Sequence, residues 1–371
     1  MRVVIVGGGV MGMMLARELG MQGVQVILTE RRACGREASW AGGGIVSPLY
    51  PWRYRPAVTA LSRWSQYFYP NLVQTLEAET GIDAEISHHG LLMVSVHDRE
   101  AALSWARAES YRMDEVPASG LKQIEPALAD TFTEALWMPQ VASVRNPRLC
   151  RALRASLDHL QTVTVLDMNG VARLERSGDR VQGVWTEDGT LIEADRVVLC
   201  AGAWTSGLLA PLGVTLPVVP VKGQMVAFQA EPGQVRTIVL ADGKYVIPRR
   251  DGLVVAGSTL EHAGFDKSTT DDALDQLTAA ALRMIPALAG CPVVARWAGL
   301  RPGSPDGIPF IGPVPGVDGL YVNAGQYRNG LVTAPASVAL MASLLLGAEA
   351  PVDPSPYRLE GRLAPAELEE A

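Results

Sequence analysis

The chain has 371 residues, 48% of them hydrophobic, and carries 32 basic against 39 acidic residues for a formal net charge of −7. A length of this order fits two domains better than one and excludes a small binding module. Lys and Arg are scattered rather than clustered, which leaves no electrostatic footprint for nucleic acid or an anionic membrane surface as a partner.

The first predicted element is the apolar strand RVVIV, which runs into Gly7-x-Gly9-x-x-Gly12 and a helical pattern; the next strand, VQVILTE, ends on Glu30. In a βαβ unit this arrangement binds the ADP half of a dinucleotide. Gly7 permits the tight turn, Gly9 lets backbone approach a pyrophosphate, Gly12 lets helix pack on strand, and Glu30 accepts from ribose hydroxyls. Because the strand starts at residue 2, no basic n-region, apolar h-region and cleavage site precede it, and a cytoplasmic location is expected. Cys34, Cys150, Cys200 and Cys291 show no CxxC or Cys/His metal spacing, so reduced structural thiols and no metal are expected.

Residues 36–51 (REASWAGGGIVSPLYP) have little side-chain bulk and bring backbone N–H groups close to a ligand. An amphipathic helix is expected over 57–80, with Leu61, Trp64, Tyr67, Phe68, Leu72 and Leu76 near a helical period, a kink at Pro70 and a stop at Gly81. From residue 82 short strands and helices alternate, including a strand at 90–96 and a helix over 99–113. A buried strand at 197–200 then runs into Ala201, Gly202, Ala203 and Trp204, a small-residue turn that lets the chain cross close to a cofactor. Residues 217–295 hold VVPVKGQMVAF, KYVIPRR and GLVVAGSTL, then a helix at 271–284, a run suited to an antiparallel sheet. The chain closes with RWAGLRPGSPDGIPFIGPVP, the strand LYVNAG and a helix from near Asn329. Its apolar run at 334–348 is shorter than the ~20 residues that span a bilayer, so a buried helix is expected and no membrane.

The fingerprint with Glu30, the CAGAW turn, WAGLRPGSPDGIPFIGP at 297–313 and AGQYRNGLVTAP at 324–335 together resemble FAD-dependent amine oxidases of the D-amino acid oxidase type. Within that family they look most like the glycine oxidases tied to the thiazole branch of thiamine biosynthesis. The resemblance covers essentially the whole chain. It implies an α/β fold, with an FAD-binding Rossmann-like domain of the glutathione-reductase type (1–80, 145–215 and 297–371) interleaved with an α+β substrate domain built on an antiparallel sheet (81–144 and 216–296). It also implies FAD and a possible homotetramer; no motif in the chain is assigned as a covalent flavin attachment site, so noncovalent FAD is expected.

Carried over by position, the resemblance sets FAD against Val10, Met11, Glu30, Arg31, Ala38, Ser39, Gly43, Gly44, Ile45, the Val171 backbone and the loop Gln326, Tyr327, Arg328, Asn329, Gly330, Leu331 and Val332. These join the motif residues Gly7, Gly9, Gly12, Ala201, Gly202 and Trp204. The substrate carboxylate falls to Arg301 and Tyr245, with Arg328 close to substrate and flavin. Ile45 and Leu260 stand where glycine oxidases carry methionines, and Gly243 where they carry a histidine, which leaves substrate size open.

Flavin oxidation of an α-amino acid needs the Cα–H aimed at N5, a neutral amine and an anchor for the other end. A guanidinium fork meets a carboxylate with two parallel charge-assisted bonds, the role expected of Arg301. The helix after Gly330 offers first-turn N–H groups and a positive dipole end to the flavin N1–C2=O region. No catalytic His or Glu is needed, because the amine can lose its proton before hydride leaves. Tyr50, Trp52 and Tyr54 fit either an aromatic lid or a packed, Pro-stiffened loop. The expected reaction converts glycine, sarcosine and other N-alkyl glycines, or small D-amino acids, to an imine and then a 2-oxo acid, with oxygen giving hydrogen peroxide. The alternatives are a D-amino acid or sarcosine-type dehydrogenase using another acceptor, and a non-catalytic flavin-binding protein.

Overall fold

Val3, Val4 and Ile5 of the first strand, Arg2–Val6, are fully buried, as expected of a strand with both faces covered in a parallel sheet. The computed structural model describes residues 1–363; the last part of the expected 297–371 segment lies outside the described residues. Six strands form this first sheet in the order Phe310–Pro313, Leu320–Ala324, Arg196–Leu199, Arg2–Val6, Gln25–Thr29 and Val163–Leu166. All neighbours are parallel except the pair Phe310–Pro313 and Leu320–Ala324.

One face of the sheet packs on the fingerprint helix, Val10–Met21, the long helix, Pro56–Thr80, and the C-terminal helix, Gly330–Leu346. The long helix begins on Pro56, continues through Pro70 and stops where Gly81 takes φ 70°, the left-handed C-terminal stop that glycine supplies. Residues Tyr327–Leu346 are long and apolar enough to cross a membrane, yet 72% of the 18-residue apolar window within them is buried inside the protein. Its all-round hydrophobicity follows from packing on both other helices. The opposite face is covered by a three-stranded antiparallel sheet, Val171–Ser177, Arg180–Thr186 and Leu191–Glu193.

The second sheet has eight strands, ordered Val293–Gly303, Val219–Gln229, Leu253–Gly257, Lys244–Pro248, Ile238–Ala241, Leu91–Val94, Glu134–Met138 and Asp114–Pro117. One face packs on the helix Asp271–Met284, whose start is capped by the Thr270 side chain accepting from the Ala273 N–H. The other face carries Met225, Tyr245 and Ile247 and lies toward the first sheet's cleft. Two expected boundaries move. The helix expected over 99–113 ends at Ala108, because Ser110 adopts φ 57° and turns the chain toward the strand Asp114–Pro117. A division at residue 297 cuts the strand Val293–Gly303, which stays paired with Val219–Gln229 through Gly303; its motif touches the cofactor side, while its hydrogen bonds belong to the second sheet.

A Cβ at Gly12 would overlap the carbonyl oxygen of Gly7, and backbone cannot yield as a flexible side chain can. Gly12→Ala is expected to cost about 3 kcal/mol of stability. A wild-type urea midpoint for this variant would show that helix and turn are not held so closely.

Candidate active site

A cavity of about 450 Å³ lies at the carboxyl ends of the central parallel strands, lined there by Val6, Thr29, Cys200 and Asn323, the position at which open α/β sheets bind ligands. Gly7 enters it with φ 112°, and a Cβ there would press on the Cys200 carbonyl. Val10 begins the fingerprint helix and donates its N–H to Ser39 Oγ at 2.9 Å. The Glu30 carboxylate accepts from the N–H groups of Gly8 (2.7 Å) and Arg32 (3.0 Å). Burial raises its pKa, and these two N–H groups act against that rise. The glycine-rich run is held from the second sheet: buried Arg249 donates to Gly43 O at 2.7 Å and Val144 O at 3.0 Å, and burial lowers its pKa to about 10.

Two buried polar atoms on the cavity wall, Asn146 Oδ1 and Asn329 Nδ2, have no partner among the described residues. An orphaned acceptor and an orphaned donor on one wall mark a polar ligand. The outer end of the cavity is strapped. Arg31 lies over the Trp204 ring at 4.0 Å, and Trp204 stacks on Phe265 with centroids 5.4 Å apart. Lys267 donates to both oxygens of Glu37, at 3.0 and 2.9 Å. Phe265 and Lys267 come from a loop after the strand Leu253–Gly257, staked by buried Lys222, whose Nζ donates to Asp266 at 2.8 Å.

The other end holds Arg301, Tyr245 and Arg328, all on the cavity wall. Arg301 Nη1 donates to the carbonyls of Lys222 and Thr259, both at 3.3 Å, and Nη2 donates to Ser258 Oγ at 2.6 Å. No carboxylate pairs with it among the described residues. Burial lowers its pKa, with Arg328 adding a like-charge push, yet a guanidinium remains protonated in proteins. Among the described residues the Tyr245 hydroxyl donates only to Met225 Sδ, at 3.4 Å, a weak acceptor. Lys244 is half-buried nearby, and its pKa is lowered by burial and by Arg301 and Arg328. The N-terminus of the C-terminal helix arrives at the same wall with Gly330, Leu331 and Val332.

The structure brings every residue expected at the cofactor or substrate onto this wall except Gly12, which sits behind it and permits the helix–turn contact. Leu260 is 49% exposed and Gly243 spends its N–H on the Tyr50 hydroxyl at 3.2 Å; neither lines the cavity, whereas Ile45 does. Trp52 Nε1 donates to Asp98 at 2.7 Å and Tyr50 is buried, so these two form a packed loop, and only Tyr54 reaches the cavity. Sequence reasoning missed Asn146, Ser258 and the strap. Asn146 has no motif around it, and Ser258 sat inside GLVVAGSTL, noted only as a strand.

A sequence model of the DAO family, described as FAD dependent oxidoreductase, matches residues 2–344. The chain belongs to this family. Glycine oxidase of Pseudomonas aeruginosa is 54% identical over 98% of this chain and 99% of its own length. The bifunctional protein ThiO/ThiG of Trichormus variabilis is 31% identical over 93% of this chain and 52% of its own. The crystal structure of glycine oxidase from Geobacillus kaustophilus matches with a TM-score of 0.89 at 28% identity, covering 98% of this chain and 100% of that one. The family member described here is an FAD-dependent amine oxidase. Its cleft fits FAD on its own geometry: glycine-cleared backbone at residues 7 and 9, a fixed carboxylate at Glu30 and the two orphaned asparagine atoms.

The strap should slow loss of FAD. Lys267→Ala is expected to speed FAD release on dilution about fivefold, the effect of losing ~1 kcal/mol from a partly exposed ion pair. Flavin fluorescence reads the release directly, and pairing Glu37→Lys with Lys267→Glu should restore the slow rate.

Proposed function

We propose that this FAD-dependent oxidase acts on glycine, and also on sarcosine, other small N-alkyl glycines and small D-amino acids. One observation carries the reading: among the described residues, a buried guanidinium with no carboxylate partner stands beside a phenol with only a thioether to meet, at the end of a dinucleotide cavity. Arg301 and Tyr245 would together take the substrate carboxylate, fixing its orientation as well as its position. The 54% identity to a glycine oxidase supports glycine as the amine.

FAD, when bound, supplies the two-electron acceptor for the hydride that leaves Cα. Val10, Met11, Ser39, Glu30 and the 326–332 loop would hold it. The chain's own contribution to the chemistry is electrostatic. Arg301, Arg328 and Lys244 crowd positive charge at the substrate end, and like charge lowers the pKa of a bound ammonium. The acids on the wall sit elsewhere: Glu30 is bonded to Gly8 and Glu37 to Lys267, while the Glu187 carboxylate lies against Gly170. The amine is thereby pushed toward the neutral form that releases hydride. Glycine, oxygen and water then give glyoxylate, ammonia and hydrogen peroxide. The likeness to a protein named ThiO/ThiG supports supply of the imine to thiazole synthesis, and four free cysteines fit a reducing cytoplasm.

Anaerobic mixing of the yellow protein with glycine, sarcosine, D-alanine and D-proline tests this. Glycine should bleach the flavin band, and admitting air should restore it with peroxide formed. Bleaching without recovery would establish a dehydrogenase, and no bleaching by glycine would refute the substrate. Arg301→Ala should keep its FAD and raise the glycine KM about a hundredfold, the scale of losing charge-assisted hydrogen bonds from a buried carboxylate; an unchanged KM would remove the clamp.

A further inference from the structure

We propose that Ser258 is a substrate-binding residue, whose hydroxyl donates to the same carboxylate that Arg301 pairs with. The proposal rests on the carboxylate reading of Arg301. Ser258 lines the cavity and is 8% exposed. Its Oγ accepts from Arg301 Nη2 at 2.6 Å, so a lone pair is used and the hydroxyl proton is turned away from the guanidinium. That proton meets no acceptor among the described residues. A hydroxyl on a cavity wall with its acceptor side filled and its donor side open is set to meet an anion.

The surroundings fix this geometry from three sides. The Ser258 carbonyl accepts from Lys244 Nζ at 2.7 Å, which holds the backbone in place. The next residue, Thr259, is tied by its hydroxyl to the Gln224 N–H at 2.8 Å and to Glu261 Oε1 at 2.5 Å. Lys222 and Glu261 exchange backbone hydrogen bonds of 2.9 and 3.0 Å, which stitches the segment to the strand Val219–Gln229. Beneath the guanidinium lies Gly223, where a Cβ would overlap both Nη atoms; Arg301 therefore lies flat on bare backbone with Ser258 at its edge. Tyr245 lines the same cavity as Ser258 and Arg301, and its hydroxyl would sit 3.1 Å from a Cβ on Gly257, the residue before Ser258. Arg301, Tyr245 and Ser258 thus present three donors to one planar carboxylate, within its capacity of about four lone-pair sites.

The test uses holoenzyme and acetate, a carboxylate without an amine, titrated by its perturbation of the flavin spectrum. Ser258→Ala should keep FAD, weaken acetate about tenfold or more, and raise the glycine KM by a similar factor with kcat within about twofold. Ser258→Thr, which keeps the hydroxyl, should restore most of the affinity. A direct contact also predicts that Ser258→Ala still weakens acetate several-fold in an Arg301→Ala background. Loss of that effect would show that Ser258 only steadies the guanidinium and would overturn the contact, as would unchanged acetate affinity in the single variant. Failure of the glycine reading shows separately, as wild-type protein not bleached by glycine, while acetate affinity still decides Ser258.

Discussion

Arg301 carries a buried positive charge that no carboxylate among the described residues neutralises, and its three hydrogen bonds all go to neutral oxygens. A charge in that state is costly unless a ligand of opposite sign completes it, and much of the second sheet serves to hold it in place. Two of its acceptors are main-chain carbonyls, so their positions follow from strand register rather than from mobile side chains. Lys222 faces Leu300 and Val221 faces Arg301 across the ladder. The segment after the strand Leu253–Gly257 is drawn over the same ladder by the Lys222–Glu261 bridge, which delivers Thr259 and Ser258 to the guanidinium. A one-residue slip in that ladder would turn every one of these groups to the wrong face.

The cofactor half depends on the opposite device, the removal of side chains. Helix, turn and strand approach one another at Gly7 and Gly12 closely enough that a methyl group at either overlaps backbone. That clearance would let N–H groups reach a pyrophosphate. The two halves are then joined through side chains that cross between the sheets: Arg249 to the Gly43 carbonyl, Trp297 Nε1 to the Ala41 carbonyl at 3.0 Å, and Lys267 to Glu37. Each crossing ends on the stretch 37–43. That stretch therefore takes its conformation from the second sheet, although the cofactor cavity is where it is displayed.

These relations explain what the sequence made legible. The fingerprint and the acid at Glu30 belong to one strand–turn–helix–strand unit, so their spacing points to them, and the CAGAW turn is read in the light of that unit. The helix Asp271–Met284 was legible because its cap, periodicity and stop are all local. Arg301 was legible through a long ordered motif, and the strand that carries it was misassigned at residue 297 because hydrogen-bond partners 79 residues apart, such as Arg301 and Lys222, leave no mark in a linear pattern. Asn146, Arg249 and the Phe265–Lys267 strap were hidden for the same reason. Their partners are Ser39, Gly43, Trp204 and Glu37, and only the folded topology brings them together. Ser110 ended a helix early through its own positive φ, a choice that propensity does not announce.

The departures at residues 45, 243 and 260 take on a different weight once placed in space. Leu260 and Gly243 lie off the wall, so their side chains, or lack of one, do not set the volume available to substrate. Ile45 does lie on the wall, and a β-branched side chain there is stiffer than an unbranched thioether, with fewer rotamers to yield around a larger group. The cation trio adds a second filter at the same end. Under the proposed carboxylate reading, positive charge from Arg301, Arg328 and Lys244 would favour a carboxylate and disfavour an ammonium, so discrimination there would be by charge before size. An amine without a carboxylate would leave Arg301 uncompensated in a buried site, a penalty of the order of several kcal/mol. Under the same reading, selectivity for amino acids over simple amines would follow from the same guanidinium that organises the sheet around it.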